Sequence, residues 1–131
     1  MNIIYYPNNT VVANNAGSMC KFLKDLARKK PALWSLVDAR IKEIEKEKSL
    51  KRLEDQKIVE KLIGLAVPIH ELRVPKKRRG GVVRIYFGYK INDINTIVFL
   101  AGEVKMNMRS SPNPAIIKNA IKRYREECVW C

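Results

Sequence analysis

The sequence predicts an α+β fold in a single domain, residues 1–131, and three observations carry that expectation. Apolar residues recur at helical spacing through the first half, the period changes to two after Pro68, and a helical pattern returns after Asn113-Pro114. Helices, then sequential strands, then one helix is the order in which helices cover one face of a twisted, mostly antiparallel sheet and leave the other face free. With 131 residues and 47% apolar content, one core can form without disulfide or metal staples, and no second domain is expected.

The elements follow in order. Asn2 to Tyr6 is a short β-prone run, closed by the turn residues Pro7-Asn8-Asn9 and followed by a polar loop to about Gly17. Ser18 is the expected N-cap of a helix marked by Met19, Phe22, Leu23 and Leu26, ending near Lys30. Pro31 suits the first position of a second helix, striped by Leu33, Val37, Ile41 and Ile44. A third helical segment is marked by Leu53, Val59, Leu62 and Ile63, with Gly64 as its stop. Three strands come next, at Ile69 to Val74, Val82 to Tyr89 and Ile97 to Met106. The turn-like segments Lys76-Lys77-Arg78-Arg79-Gly80-Gly81 and Ile91-Asn92-Asp93 join them into an antiparallel meander. Asn113-Pro114 opens a last helix with Ile117, Ala120, Ile121 and Tyr124 on one face and Lys118, Lys122 and Arg125 on the other.

Charge points to the class of partner. There are 26 Lys plus Arg against 13 Asp plus Glu, a net charge of +13. Residues 1–67 hold 13 basic and 8 acidic groups, whereas residues 68–125 hold 13 basic and only 3 acidic ones, so a polyanion site belongs in the second half. Nucleic-acid phosphate is the first candidate, and a membrane surface or an acidic protein satisfies the same electrostatics. No stretch approaches the ~20 apolar residues of a membrane span. The opening Met1 to Tyr6 lacks the charge and length of a signal peptide, which makes a cytoplasmic protein the default. Cys20, Cys128 and Cys131 form neither a disulfide framework nor a four-ligand zinc set. With one histidine in the chain, no metal and no cofactor are expected. The Cys128-Val-Trp-Cys131 pair is a CxxC without a βαβ context.

Strand alternation sorts side chains onto two faces. It assigns Leu72, Val74, Val83, Ile85, Phe87, Val98, Leu100, Val104 and Met106 to the core. The free face receives Glu71, Arg73, Arg84, Tyr86, Glu103 and Lys105, with the Lys76, Lys77, Arg78, Arg79 turn at its rim. Arginines grip phosphate oxygens and an aromatic ring stacks an unpaired base, so this cationic surface fits single-stranded RNA better than a membrane. The plainer alternative is that these are ordinary polar residues of an exposed sheet face, with Glu71 pairing Arg73 or Arg84 and the basic turn a solvated loop. His70 falls on the core row and reads as structural. Cleavage of RNA by its own 2′-OH needs a base, a proton donor and cations for the developing charge, tasks that lysine and arginine can share.

The strings IHELRV, VVRIYFGY, NTIVFLAGEVKM and NPAIIKNAIKRYREE resemble the RelE/ParE toxin superfamily, in particular its HigB-like, phage-derived branch. That branch has a strand ending in E-L-R, a strand Y-R-[IVL]-x-Y, a strand I-V-L-L-x-x-F-x-K and a closing helix after proline. The resemblance covers residues 68–126, and the N-terminal strand and helices agree with it in order and rough length. It implies a RelE-like fold and a toxin that cleaves messenger RNA in the ribosomal A site and so inhibits translation. It also implies neutralisation by a cognate antitoxin, often a helix-turn-helix protein. By position, Arg73, Arg84 and Lys105 would form the RNA-cleaving set. Arg84 would clamp the scissile phosphate, Arg73 would position the substrate or stabilise charge, Lys105 would support the site from the adjoining strand, and Arg109 would reinforce it. The chain departs from the pattern at Val83, where the family usually has tyrosine, and has no counterpart to the late tyrosine or aspartate of some members. Two other readings stand beside this one. The first is a non-enzymatic member, either a gyrase poison of the ParE kind or a phage-derived regulator that binds nucleic acid or protein. The second is a degenerate toxin that only binds its antitoxin.

Overall fold

The computed structural model describes residues 1–7, 17–75, 81–106 and 111–128. The chain runs β1 (Asn2–Tyr5), α1 (Ser18–Lys29), α2 (Pro31–Lys46), α3 (Lys51–Asp55), β2 (Val59–Lys61), β3 (His70–Val74), β4 (Val82–Lys90), β5 (Asp93–Lys105) and α4 (Pro114–Glu127). The strands form one five-stranded sheet in the order β1-β5-β4-β3-β2. Strand β1 lies parallel to β5, and the other neighbours are antiparallel. The fold is thus α+β, with a mixed sheet and, among the described residues, four helices that include a C-terminal one. No described helix is long and apolar enough to cross a membrane.

The helix starts follow local chemistry with one change. Pro31 occupies the first turn of α2, and the Asn113 side chain caps α4 by accepting from the Ala115 N–H at 3.0 Å. Ser18 lies inside α1, and Gly17 stands at the N-cap without a side-chain bond. The third helix stops at Asp55, well short of the expected Gly64. Lys57 turns the backbone into the left-handed region (φ 58), and Val59–Lys61 then pairs with β3 as an edge strand. Val59, assigned above to a helix, is a strand residue opposite Leu72.

One face of the sheet packs on the α1–α2 hairpin. Ile3 and Tyr5 of β1, Leu72 and Val74 of β3, Val83, Ile85 and Phe87 of β4, and Ile97 and Phe99 of β5 meet Met19, Leu23, Val37 and Ile41 there. The other face is not free. Ile69, Tyr86, Val98, Leu100 and Ala101 are buried against Ala120 and Cys128, with Ile116, Ile117, Ile121 and Tyr124 packed around them. Glycine makes both contacts close. A Cβ at Gly102 would stand 2.6 Å from the Phe22 ring of α1, and one at Gly88 would stand 2.6 Å from the Tyr124 ring of α4.

Val98 and Leu100 therefore point away from the side that strict alternation assigned them. Tyr86 opposes Ala101 and Phe87 opposes Phe99, so Leu100 is an extra residue, a β-bulge. Leu100 and Ala101 both face α4. Beyond the bulge Val104 packs toward the hairpin, as expected, while Met106 follows β5 and is exposed.

Candidate nucleic-acid interface on the sheet

The α4 side of the sheet divides along the strands. At one end lies the apolar cluster just described, and at the other a polar ladder built from four neighbouring strands. Cross-strand register aligns Arg73, Arg84 and Glu103 in one row, and Glu60, Glu71 and Tyr86 in the next. Arginine thus faces arginine and glutamate faces glutamate across the strands, arrangements that would repel if isolated.

The diagonals reverse that sign. The Arg73 guanidinium pairs with Glu60 through one terminal nitrogen, and its Nε stands 3.1 Å from Glu71 Oε1. Arg84 Nε lies 3.7 Å from the same Glu71 oxygen. Lys105 Nζ is 3.1 Å from Glu103 Oε1, while Glu103 Oε2 accepts from the Tyr86 hydroxyl at 2.8 Å and from the Asn113 N–H at 3.1 Å. Glu103 therefore joins the ladder to the start of α4. Three cations meet three carboxylates, and the plainer expectation that Glu71 pairs with Arg73 and Arg84 describes the geometry.

Burial separates the members. Tyr86 is fully buried and Arg84, Glu71 and Glu103 are buried, whereas the side chains of Arg73 and Lys105 remain 25% and 23% exposed. Burial raises the Glu71 carboxyl above its ordinary range, an effect that Arg84 and Arg73 oppose. The Tyr86 hydroxyl is raised too, first by burial and then by its bond to Glu103, with a hydrogen bond from Arg84 acting the other way. A buried Tyr86 cannot stack on a base without movement of its cover, which corrects its expected place on an open surface. Glu60, at 43% side-chain exposure, is the most exposed carboxylate of the network.

Arg73, Arg84 and Lys105 are thus brought to one side of the sheet, as alternation proposed. Lys76, Lys77, Arg78, Arg79 and Arg109 lie outside the described residues, as does Cys131. Glu60 is the ladder member that the sequence pattern does not reveal, because Val59-Glu60-Lys61 falls within the stretch expected to be helical. The β-branched pair Ile58-Val59 was the signal for a strand. His70 is on the hairpin side, stacked on Phe87 at 5.4 Å and edge-on to Tyr89 at 5.2 Å, with its pKa lowered by burial and by Lys61. It therefore stands on the opposite side of the sheet from the ladder. Among the described residues, no group of three or more His, Cys, Asp or Glu side chains could hold a metal ion. Cys20 and Cys128 are buried free thiols, and burial pushes that of Cys128 up to about 12.

No protein-family model matches the chain, and neither a curated protein nor a solved structure shows significant similarity to it.

Proposed function

We propose that this chain is a RelE-fold toxin of a type II toxin–antitoxin pair, a metal-independent endoribonuclease that cleaves ribosome-bound messenger RNA in the cytoplasm and is neutralised by a cognate, helix-turn-helix antitoxin. The observation that carries the reading is the convergence of Arg73, Arg84 and Lys105 from three consecutive strands on one side of the sheet. The strand and helix order, with the α1–α2 hairpin preceding the meander and a helix closing the chain, supports it. On this reading RNA enters over Arg73 and Lys105, and its phosphate takes the place of Glu60 on Arg73. Arg84 holds the charge that develops as the 2′-oxygen bonds to the adjacent phosphorus and the bond to the 5′-oxygen breaks, the 2′-OH proton passing to water and the departing 5′-oxygen taking one from water, while Glu71 and Glu103 keep the cations in register.

The test must avoid Arg84→Ala, since removing one partner of a buried ion pair costs about 3–5 kcal/mol and would confound activity with folding. The better variant is Arg73→Gln with Lys105→Gln, both at partly exposed positions. After induction in a bacterial host, 5′-end mapping of messenger RNA should show new ends inside coding regions with the native chain and none with the variant. An absence of new ends with the native chain would remove the nuclease reading.

One observation favours a non-enzymatic RelE/ParE-fold protein instead. Each ladder cation already has a carboxylate partner, as in a network built for structure. Intact messenger RNA with DNA damage after induction would identify a gyrase poison, and an absence of any inducible toxicity would identify a binding module.

A further inference from the structure

The cations of α4 are arranged differently from those of the sheet. Helix α4 meets the sheet through Ile116, Ile117, Ala120, Ile121 and Tyr124, and the half-exposed sides of Ile117 and Ile121 continue outward into a groove of about 870 Å³. Ile117 and Ile121 line it, together with Pro114, Lys118, Lys122 and Arg125. At roughly 100° per residue these six positions fall within an arc of about 140°. The isoleucines are half-buried, and the proline and the three cations are exposed. Among the described residues, no carboxylate lies within ion-pair distance of Lys118, Lys122 or Arg125, whereas every cation of the ladder has one. The described acidic residue of the groove, Glu126, is taken up by the Tyr6 hydroxyl at 2.6 Å. The result is an apolar floor with a net positive rim, three cations against the one described carboxylate, Glu126.

We infer that this flank of α4 is a docking groove for an acidic amphipathic segment of a protein partner, with apolar side chains on Ile117 and Ile121 and carboxylates against Lys118, Lys122 and Arg125. Charge complementarity selects the acid, and the paired isoleucines select protein over nucleic acid. RNA would use the cations and leave the isoleucines without partners. Among the described residues, the Tyr124 ring is turned to the sheet and the Tyr6 ring beside Glu126 already carries the Arg123 guanidinium at 4.6 Å. A lipid surface would need the broad apolar face that α4 has already spent on the sheet. A second copy of a chain with net charge +13 is a poor source of acidic groups. Anchors spaced four residues apart match one side of an incoming helix. The inference does not require the nuclease assignment.

The probe is a fluorescein-labelled amphipathic peptide with leucine on one helical face flanked by glutamate, compared with a scrambled peptide of the same composition. The native chain should bind the patterned peptide at least about tenfold more tightly than the scrambled one. Lys118→Glu with Lys122→Glu, both at exposed positions, should abolish that preference, and Ile121→Ser should reduce it, while Ile121→Ser leaves binding of an oligouridylate unchanged. Circular dichroism checks that each variant folds, and the charge pair alone decides the question if Ile121→Ser does not. Equal binding of the two peptides, or patterned-peptide binding that survives the charge reversal, would overturn the inference. So would charge reversal that abolishes oligouridylate or phosphatidylserine-vesicle binding while the peptide shows no preference.

Discussion

Glu71 and His70 are adjacent in sequence, point to opposite sides of β3, and are both shifted toward their neutral forms by burial. Their consequences for stability have opposite signs. The folded chain binds the His70 proton less readily than the unfolded chain does, so stability is lost as pH falls below about 6.5, the ordinary histidine value, and recovers as pH rises. The folded chain holds the Glu71 proton more tightly, so stability falls as pH rises above the ordinary carboxyl value of 4.5. Denaturant unfolding at a series of pH values should show His70→Phe losing the rise with pH below 6.5 and Glu71→Gln losing the opposing fall. Unchanged slopes would mean that neither group is desolvated as the geometry requires. At this scale the sequence was informative about side and silent about cover. Alternation places Arg73, Arg84, Lys105, Tyr86, Glu71 and Glu103 together because pleating is local. The burial of Tyr86 and Arg84 depends on what packs over them, which no strand pattern contains.

At the scale of elements, the close approaches at Gly102 and Gly88 hold the helices against both sides of the sheet. A methyl group at Gly102 meets the Phe22 ring and has to push it aside, which should cost about 1–3 kcal/mol, as overpacking does. Unfolding measurements on Gly102→Ala should show that loss, and a Phe22→Leu background should shrink it; a cost independent of residue 22 would place its source elsewhere. The helices α1, α2 and α4 and the three long strands were legible because each carries several turns or alternations of pattern. Two elements were not. Leu53, Val59, Leu62 and Ile63 match a helical stripe only if the interruption at Lys57 is ignored, and the positive φ at Lys57 is what frees Val59–Lys61 to pair with β3. The bulge at Leu100 was hidden because Ile97 to Ala101 is apolar throughout, and a run with no polar residue carries no record of which side each member takes.

Across the whole molecule the sheet is a wall shared by two apolar layers, the helical hairpin on one side and α4 on the other, with the polar ladder filling the end that α4 leaves. Positive charge is divided in the same way. Among the described residues it is neutralised where it is buried in the ladder and in excess where α4 is exposed, so the two surfaces suit different kinds of ligand. Strand β5 belongs to both layers, and the doubled Leu100-Ala101 gives it a consequence for the chain as a whole. The two residues act as a half-period phase slip, letting Ile97 and Phe99 before them and Gly102 and Val104 after them face the same side. Single-residue deletions in β5 should therefore be read out as a parity rule. Loss of Ala101 absorbs the slip and leaves every other side chain in place. Loss of Glu103 instead drives Lys105 toward the hairpin and Val104 into the ladder. Cooperative thermal unfolding that survives the first deletion and disappears with the second is the expected result; equal tolerance of both would mean that the strand is not phase-locked. Between Ile97 and Lys105, length variation in this strand is confined to whole periods of two, except where Leu100-Ala101 already carries a spare residue.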